Sequence, residues 1–287
     1  MTDSGATIAD RLGPLLVDGD RGGPAPDRGP ALEVTDLSVH FGGLAAVQHV
    51  SLTLQPGEAL AVIGPNGAGK TTLLNAINGA LPRNTTGNVS IMGTPAPRRG
   101  ALWASRSGLA RSFQHPVLIE AATVRENLLL GSHLRLRYTA LHQLIPGTRM
   151  RREEAREHEK AQLVAEVLGL QDQLREPVSE LPYGARKLVD IGRSLMSQPR
   201  VLLLDEPTSG LDARERARVT ELLAALVRSR QVAIMVVEHH MDVIRAAIPR
   251  VVGLRAGVAV ADGPTDEVLA SAEFQTVLLG AVDGPRP

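Results

Sequence analysis

The chain has 287 residues, 31 Lys and Arg against 31 Asp and Glu, a formal net charge of zero and 2% aromatic residues. Neutral charge and scarce rings remove the basic footprint and stacking platform of nucleic-acid binders, so no nucleic acid is expected as a partner. Cysteine is absent, which rules out disulfides, thiolate metal sites and cysteine nucleophiles.

Residues 1–30, which include VDGDRGGPAPDRGP, mix Gly, Pro and Asp without periodicity and read as a disordered N-terminal tail. Their start lacks the cationic and apolar regions of a signal peptide. No apolar run in the chain reaches the ~18 residues that span a bilayer, so the protein is expected to stay in the cytoplasm. Folding is expected from Ala31. LEVTDLSVHF and VSLTL alternate apolar and polar positions, the pattern of half-buried strands in an antiparallel layer. EALAVI (58–63), VLLL (201–204) and VAIMVV (232–237) are continuous apolar runs, as in parallel strands covered on both faces. Between them, RREEAREHEKAQLVAEVLGL sets Leu163, Val167 and Leu170 at helical spacing beneath a charged face. The expected architecture is α/β: a mostly parallel core sheet, an antiparallel β-subdomain and an inserted α-helical subdomain at about 115–180, within one domain spanning 31–270, with 271–287 as a C-terminal extension. Lysine occurs only at Lys70, Lys160 and Lys187, so a lysine at a defined place carries more information than usual.

Gly64-Pro65-Asn66-Gly67-Ala68-Gly69-Lys70-Thr71 fits the pattern G-x-x-x-x-G-K-[ST], after the strand ALAVI and before the helical TTLLNAI. Its glycines let the backbone turn successive N–H groups toward phosphate oxygens, and the helix that begins there adds its positive end. Lys70 is expected to reach the β- and γ-phosphates of a nucleotide and Thr71 to ligate magnesium. Gly64, Asn66, Gly67, Ala68, Gly69 and Thr72 are expected to complete the cradle. A plain glycine turn capping a helix would share the residues but has no need of the lysine.

The strand VLLL ends in Asp205-Glu206. Taken alone, that pair reads as a helix cap ahead of Pro207. Beside a phosphate loop it reads as chemistry, because carboxylates at the C-terminal edge of a parallel sheet face the ligand crevice. Asp205 is then expected to hold magnesium and Glu206 to polarise an attacking water.

From residue 31 to about 270 the sequence resembles the ATP-binding subunits of ABC transporters, on ordered motifs: LPYGARKL as the signature segment, LLLDEPTSGLD as Walker B and D-loop, and VVEHHM as the switch-histidine segment. The resemblance implies that Gln114 is the Q-loop glutamine near the metal, that His239 contacts the γ-phosphate, and that Asp212 in the D-loop couples two sites. It also implies that the ring of Phe41 stacks on adenine. In this family the nucleotide lies between two subunits, the signature segment of one covering the phosphates held by the other. A glycine and a helix N-terminus make an anion site, so Tyr183 and Gly184 are expected near the γ-phosphate held by a second copy. The commonest signature reads Leu-Ser-Gly-Gly-Gln. Here Pro182 replaces the serine, Tyr183 a glycine and Ala185 the glutamine, which leaves backbone N–H groups to make the contact. His240 stands where the family favours aspartate.

The Tyr-Gly signature, FGGLAAV, RSFQ and TVREN resemble the ATP-binding subunits of importers of branched-chain amino acids and related polar solutes. The resemblance implies ATP and magnesium as ligands, a second ATP-binding subunit, membrane-spanning permease subunits, an indirectly associated solute-binding protein, and a peripheral place on the cytoplasmic face of the bacterial plasma membrane. A soluble ABC ATPase acting on ribosomes or DNA would share the motifs but normally carries two cassettes or a long coiled coil. A P-loop kinase or GTPase would explain Lys70 but not the signature segment.

Overall fold

The computed structural model describes residues 29–97, 100–132 and 148–271, together with Ile8 and Leu12. The alternating segment forms β1 (Leu32–Phe41) and β2 (Leu44–Leu54), and the first continuous apolar run forms β3 (Ala59–Ile63), buried at every position. The phosphate loop leads into α1 (Lys70–Ile77), then β4 (Thr85–Ile91) and β5 (Thr94–Pro95). Next come α2 (Ala101–Arg106), β6 (Leu109–Ser112) and the helices α3 (Val124–Leu130), α4 (Thr148–Leu168) and α5 (Tyr183–Met196). The chain continues through β7 (Val201–Asp205), α6 (Ala213–Ser229), β8 (Ala233–Val237), α7 (Met241–Ala247), β9 (Arg250–Arg255), β10 (Val258–Pro264) and α8 (Thr265–Ala270).

Two sheets result. Strands β2-β1-β4-β5 form an antiparallel sheet, and β10-β9-β3-β8-β7-β6 form a second sheet, parallel except for its β9–β10 edge. The expected α/β architecture is what the chain adopts. Because side chains alternate across a strand, the second sheet serves two cores. Ala61, Ile63, Leu204 and Val236 face a cluster shared with Leu128, Val164 and Leu168 of the helical subdomain and with Leu188 of α5. Leu60, Val62, Leu203 and Met235 face a cluster shared with Leu37, Val50, Leu73 and Leu74 of the antiparallel sheet and α1.

In-register pairing of Val62 with Val237, Asp205 with Val237, and Ser112 with Leu204 aligns the C-terminal ends of β3, β8, β7 and β6. The phosphate loop, Glu238-His239, Asp205-Glu206 and Gln114 therefore leave the sheet at one edge, the side on which open parallel sheets bind ligands.

Within the helical subdomain, Thr123 and Glu126 cap α3 reciprocally. Asn127, fully buried, accepts from the Ile119 N–H at 2.9 Å and donates to its carbonyl at 3.0 Å, so the segment after Gln114 is tied to α3. Of the stretch read as a disordered tail, Ile8 and Leu12 are helical. Leu12 has 0% exposure and belongs to the first core cluster, against which Ile8 also packs. Residues 1–7, 9–11 and 13–28 lie outside the described residues, as do 133–147 of the inserted helical subdomain and 272–287 of the C-terminal extension. Among the described residues no helix is long and apolar enough to cross a membrane.

Candidate active site

The phosphate loop turns through glycines that only glycine satisfies. A Cβ on Gly64 (φ 155°) would stand 2.1 Å from the Leu254 carbonyl oxygen, and one on Gly69 (φ 99°) 2.3 Å from that of Ala46. Strands β9 and β2 thus press on the loop from two sides and set its shape. Gly69 is the N-cap of α1 and offers no side-chain cap, which leaves the first-turn N–H groups of the helix for a ligand. Lys70 folds back across the loop, donating from Nζ to the Gly64 carbonyl at 2.8 Å and the Pro65 carbonyl at 3.0 Å. Burial lowers its pKa, against the pull of Glu206 and Asp205. Asn66 and Gly67 lie on the loop between, with Ala68 buried beneath and Thr72 following in α1.

Thr71 Oγ1 donates to Asp205 Oδ1 at 3.3 Å. Two hard oxygen donors at that spacing suit adjacent positions on an octahedral magnesium ion, whose ~2.1 Å bonds put neighbouring ligands about 3 Å apart. The other Asp205 oxygen, Oδ2, accepts from Arg111 at 2.8 Å in a pair whose side chains are 1% and 4% exposed.

Glu206, the next residue, has φ 48°, a left-handed conformation that a non-glycine residue holds only when its surroundings insist. They do so here. The Glu206 N–H donates to the Val237 carbonyl at 2.9 Å, and Lys187 Nζ donates to the Glu206 carbonyl at 2.5 Å and to that of Ser209 at 2.8 Å. The twist carries the carboxylate to Gln114, whose Nε2 donates to Glu206 Oε2 at 2.9 Å. The two predicted catalytic residues, 92 positions apart in sequence, are brought together by the β6–β7 pairing.

The switch segment is organised by Glu238, 1% exposed. Burial raises its pKa, but bonds from the Thr208 hydroxyl (2.6 Å), the N–H of His239 (2.9 Å) and both the ring and N–H of His240 outweigh that and leave it lowered. His240 Nδ1 lies 3.0 Å from both Glu238 Oε1 and Thr208 Oγ1. A carboxylate only accepts, so the ring's proton on Nδ1 is held there. The residue that departs from the family's preference thus acts as a strut. The His239 ring lies at its edge, half exposed, with Nδ1 3.6 Å from Glu238 Oε1 and the ring 4.2 Å from that of His240.

The signature residues take a position the sequence did not show. Helix α5 starts from Pro182 without a side-chain cap, so its first N–H groups have no side-chain acceptor there. Tyr183 donates from its hydroxyl to the Gln114 carbonyl at 3.2 Å and lies 41% exposed. Gly184 is buried, and a Cβ there would fall 1.9 Å from Glu215 Oε1. The close approach this glycine permits within the chain is therefore to Glu215. That residue and Asp212 cap α6 reciprocally: Asp212 Oδ1 accepts from the Glu215 N–H at 2.8 Å, and Glu215 Oε2 from the Asp212 N–H at 3.0 Å. Phe41, 43% exposed, sits at the turn between β1 and β2, the hairpin whose Ala46 touches Gly69.

Sequence reasoning assigned no role to Lys187, Glu238, Thr208 or Arg111. Lysine scarcity was the one signal available, and it pointed at Lys187.

Residues 47–209 match the ABC transporter family model. The branched-chain amino acid transport ATP-binding protein LivG of Salmonella typhimurium is 33% identical over 251 residues, 88% of this chain and 98% of the relative. The corresponding protein BraF of Pseudomonas aeruginosa is 32% identical over 251 residues, with the same coverage. The phosphonates import ATP-binding protein PhnC 1 of Rhodopseudomonas palustris is 36% identical over 248 residues, 85% of this chain and 87% of the relative. Among solved structures, the ADP conformation of an ATP-binding cassette of an ABC transporter superposes with a TM-score of 0.72 at 27% identity, covering 88% of this chain and 99% of that one. A family match across more than half of the chain, joined by relatives above 30% identity that it spans almost end to end, makes this protein a member of the ABC transporter family and one of its ATPase subunits.

Proposed function

We propose that this chain powers an importer of branched-chain amino acids or a related polar solute, by ATP-driven closure and hydrolytic release of a pair of ATP-binding subunits. The observation that carries the catalytic part is the Gln114–Glu206 bond beside the phosphate loop, with Glu206 held in a conformation that its own backbone disfavours. Lys70, freed from the Gly64 and Pro65 carbonyls, grips the β- and γ-phosphates together with the loop N–H groups and the first turn of α1. Glu206 orients the attacking water, and Gln114 holds its carboxylate in place. His239, whose ring is half exposed, meets the γ-phosphate, while the His240 ring holds Glu238 and Thr208 at 3.0 Å. Thr71, Asp205 and Gln114 are the residues to hold magnesium, which when bound neutralises charge on the phosphates. Phe41 offers its exposed ring to the adenine.

The second half of the site comes from another subunit, identical or similar. The start of α5 at Tyr183 and Gly184 covers the γ-phosphate of the partner through backbone N–H groups, and Asp212 couples the two sites. Membrane-spanning permease subunits, served by a solute-binding protein, receive the motion at the cytoplasmic face of the bacterial plasma membrane. The likeness to LivG and BraF favours branched-chain amino acids, while the likeness to a phosphonate-import subunit is in keeping with solute choice lying in other chains.

Two experiments test this reading. Glu206→Gln is expected to bind ATP, stop turning over and accumulate as an ATP-bound dimer in light scattering, and a monomer in the presence of ATP and magnesium would refute the mechanism. Purification from membranes is expected to recover the chain with hydrophobic subunits, whereas recovery on ribosomes would replace the importer with a soluble ABC ATPase.

A further inference from the structure

Arg111, three residues before Gln114, joins the elements around the metal-facing carboxylate. Its Nη2 donates to Asp205 Oδ2 at 2.8 Å and its Nη1 to Asn75 Oδ1 at 2.6 Å, while its own carbonyl accepts from Ser194 Oγ at 3.0 Å. Asn75 lies on α1, one turn beyond Thr71, and Ser194 on α5. A single residue therefore bridges the phosphate-loop helix, the Walker B strand and the signature helix.

The bond divides the work of the two Asp205 oxygens. Rotation about the last torsion of an aspartate is broad, so nothing intrinsic aims either oxygen at a metal. With Oδ2 taken by Arg111, Oδ1 is left facing Thr71 Oγ1. Asn75 fixes the arginine in turn to the helix that carries Thr71, which keeps the two donors in register. A purely stabilising ion pair accounts for this less well. Arg111 Nε is buried with no partner among the described residues, an arrangement that costs stability. Buried ion pairs are in any case poor stabilisers next to apolar packing. The guanidinium also lies 5.0 Å over the Phe113 ring, but its two directional bonds are those to Asp205 and Asn75.

We propose that Arg111, tethered by Asn75, is a positioning residue that orients Asp205 toward magnesium and so sets the metal affinity of the nucleotide-loaded protein. This rests on the reading of Asp205 and Thr71 as the magnesium-holding pair.

The test is binding of a fluorescent ATP analogue to the full chain, first in EDTA and then across a magnesium titration. Arg111→Lys keeps a buried cation but loses the fork, and Asn75→Ala leaves the Arg111–Asp205 pair in place. Arg111→Lys is expected to leave affinity in EDTA unchanged and to raise the magnesium concentration for half-saturation by about tenfold, the usual consequence of losing a residue that supports a metal ligand. Asn75→Ala is expected to shift it the same way. The double variant should be no worse than Arg111→Lys, because both changes break one linkage. An equal loss of affinity with and without magnesium would make Arg111 merely structural, and an unchanged magnesium half-saturation would overturn the proposal outright. Asp205→Asn separates the premises. If magnesium strengthens analogue binding in that variant with the same half-saturation as in the parent, the metal reading of Asp205 fails and takes the proposal with it. If the magnesium half-saturation rises there but is untouched in Arg111→Lys, the role of Arg111 alone is wrong.

Discussion

The amide of Gln114 holds the carboxylate of Glu206 at 2.9 Å across the gap between the end of β6 and the end of β7. A hydrogen bond to a charged group contributes about 1.5–3 kcal/mol, and its loss in the transition state corresponds to roughly 10–100-fold in rate. Gln114→Ala is therefore expected to lower kcat by that range while ATP binding persists. Steady-state ATPase assays with a separate binding measurement check this, and a parallel loss of binding would mean that Gln114 supports the loop and not the carboxylate.

Lys187→Met should uncouple shape from chemistry. It leaves the carbonyls of Glu206 and Ser209 without their buried donor, at a cost of about 1–3 kcal/mol for an unsatisfied buried group. It also releases the strained turn at Glu206. The expected result is a lower Tm together with a fall in kcat larger than any change in KM for ATP. Full activity at a reduced Tm would show that the strain is incidental.

Gly184→Ala separates the intrachain role of this glycine from the intersubunit one. The added methyl meets the Glu215 carboxylate, the far end of a side chain that can swing away only by giving up its bond to the Asp212 N–H. Loss of this cap is expected to cost about 1 kcal/mol. Gly184→Ala combined with Glu215→Ala removes the clash. Thermal melts should then show no further loss from the methyl, while ATP-dependent dimerisation stays impaired. Restored dimerisation would confine the role of Gly184 to packing against Glu215.

Thr208→Val probes the buried Glu238 by pH. The folded-state pKa of Glu238 is lowered, burial being outweighed by hydrogen bonds of which that of Thr208 is the largest. A depressed carboxylate contributes stability that is present above its unfolded pKa and lost as pH falls through the folded one. Removing the Thr208 hydroxyl raises the folded value toward the unfolded one, so the variant should have its full Tm deficit at neutral pH and the part due to Glu238 should shrink as pH falls through the folded values. A Tm deficit that stays constant from neutral pH down to about pH 3, below the unfolded glutamate value, would exclude Glu238 as the group responsible.

Much of this site was open to reading because its chemistry is local. The phosphate loop needs Gly64, Gly69, Lys70 and Thr71 at fixed spacing between a strand and a helix, and each requirement is set by neighbours in the chain. The same holds for continuous apolar runs, which have to be strands buried on both faces, and for Asp205-Glu206 at the end of one of them. Contacts of long sequence separation leave no such trace. The distance from Arg111 to Asp205 or from Lys187 to Glu206 depends on strand order and helix packing, and a buried Arg looks like any other Arg until its neighbours are known.

The residues by themselves determined that this chain builds a parallel sheet with a nucleotide loop at its ligand edge, because backbone conformation and hydrophobic alternation act over a few residues. Only the tertiary structure decided how the loop is aimed. Strand register puts Gln114 on Glu206, the carbonyls of Leu254 and Ala46 shape the phosphate loop, and Glu215 fills the space beneath Gly184. Those contacts arise when distant segments compete for the same buried volume, and that competition is settled by packing of the whole molecule.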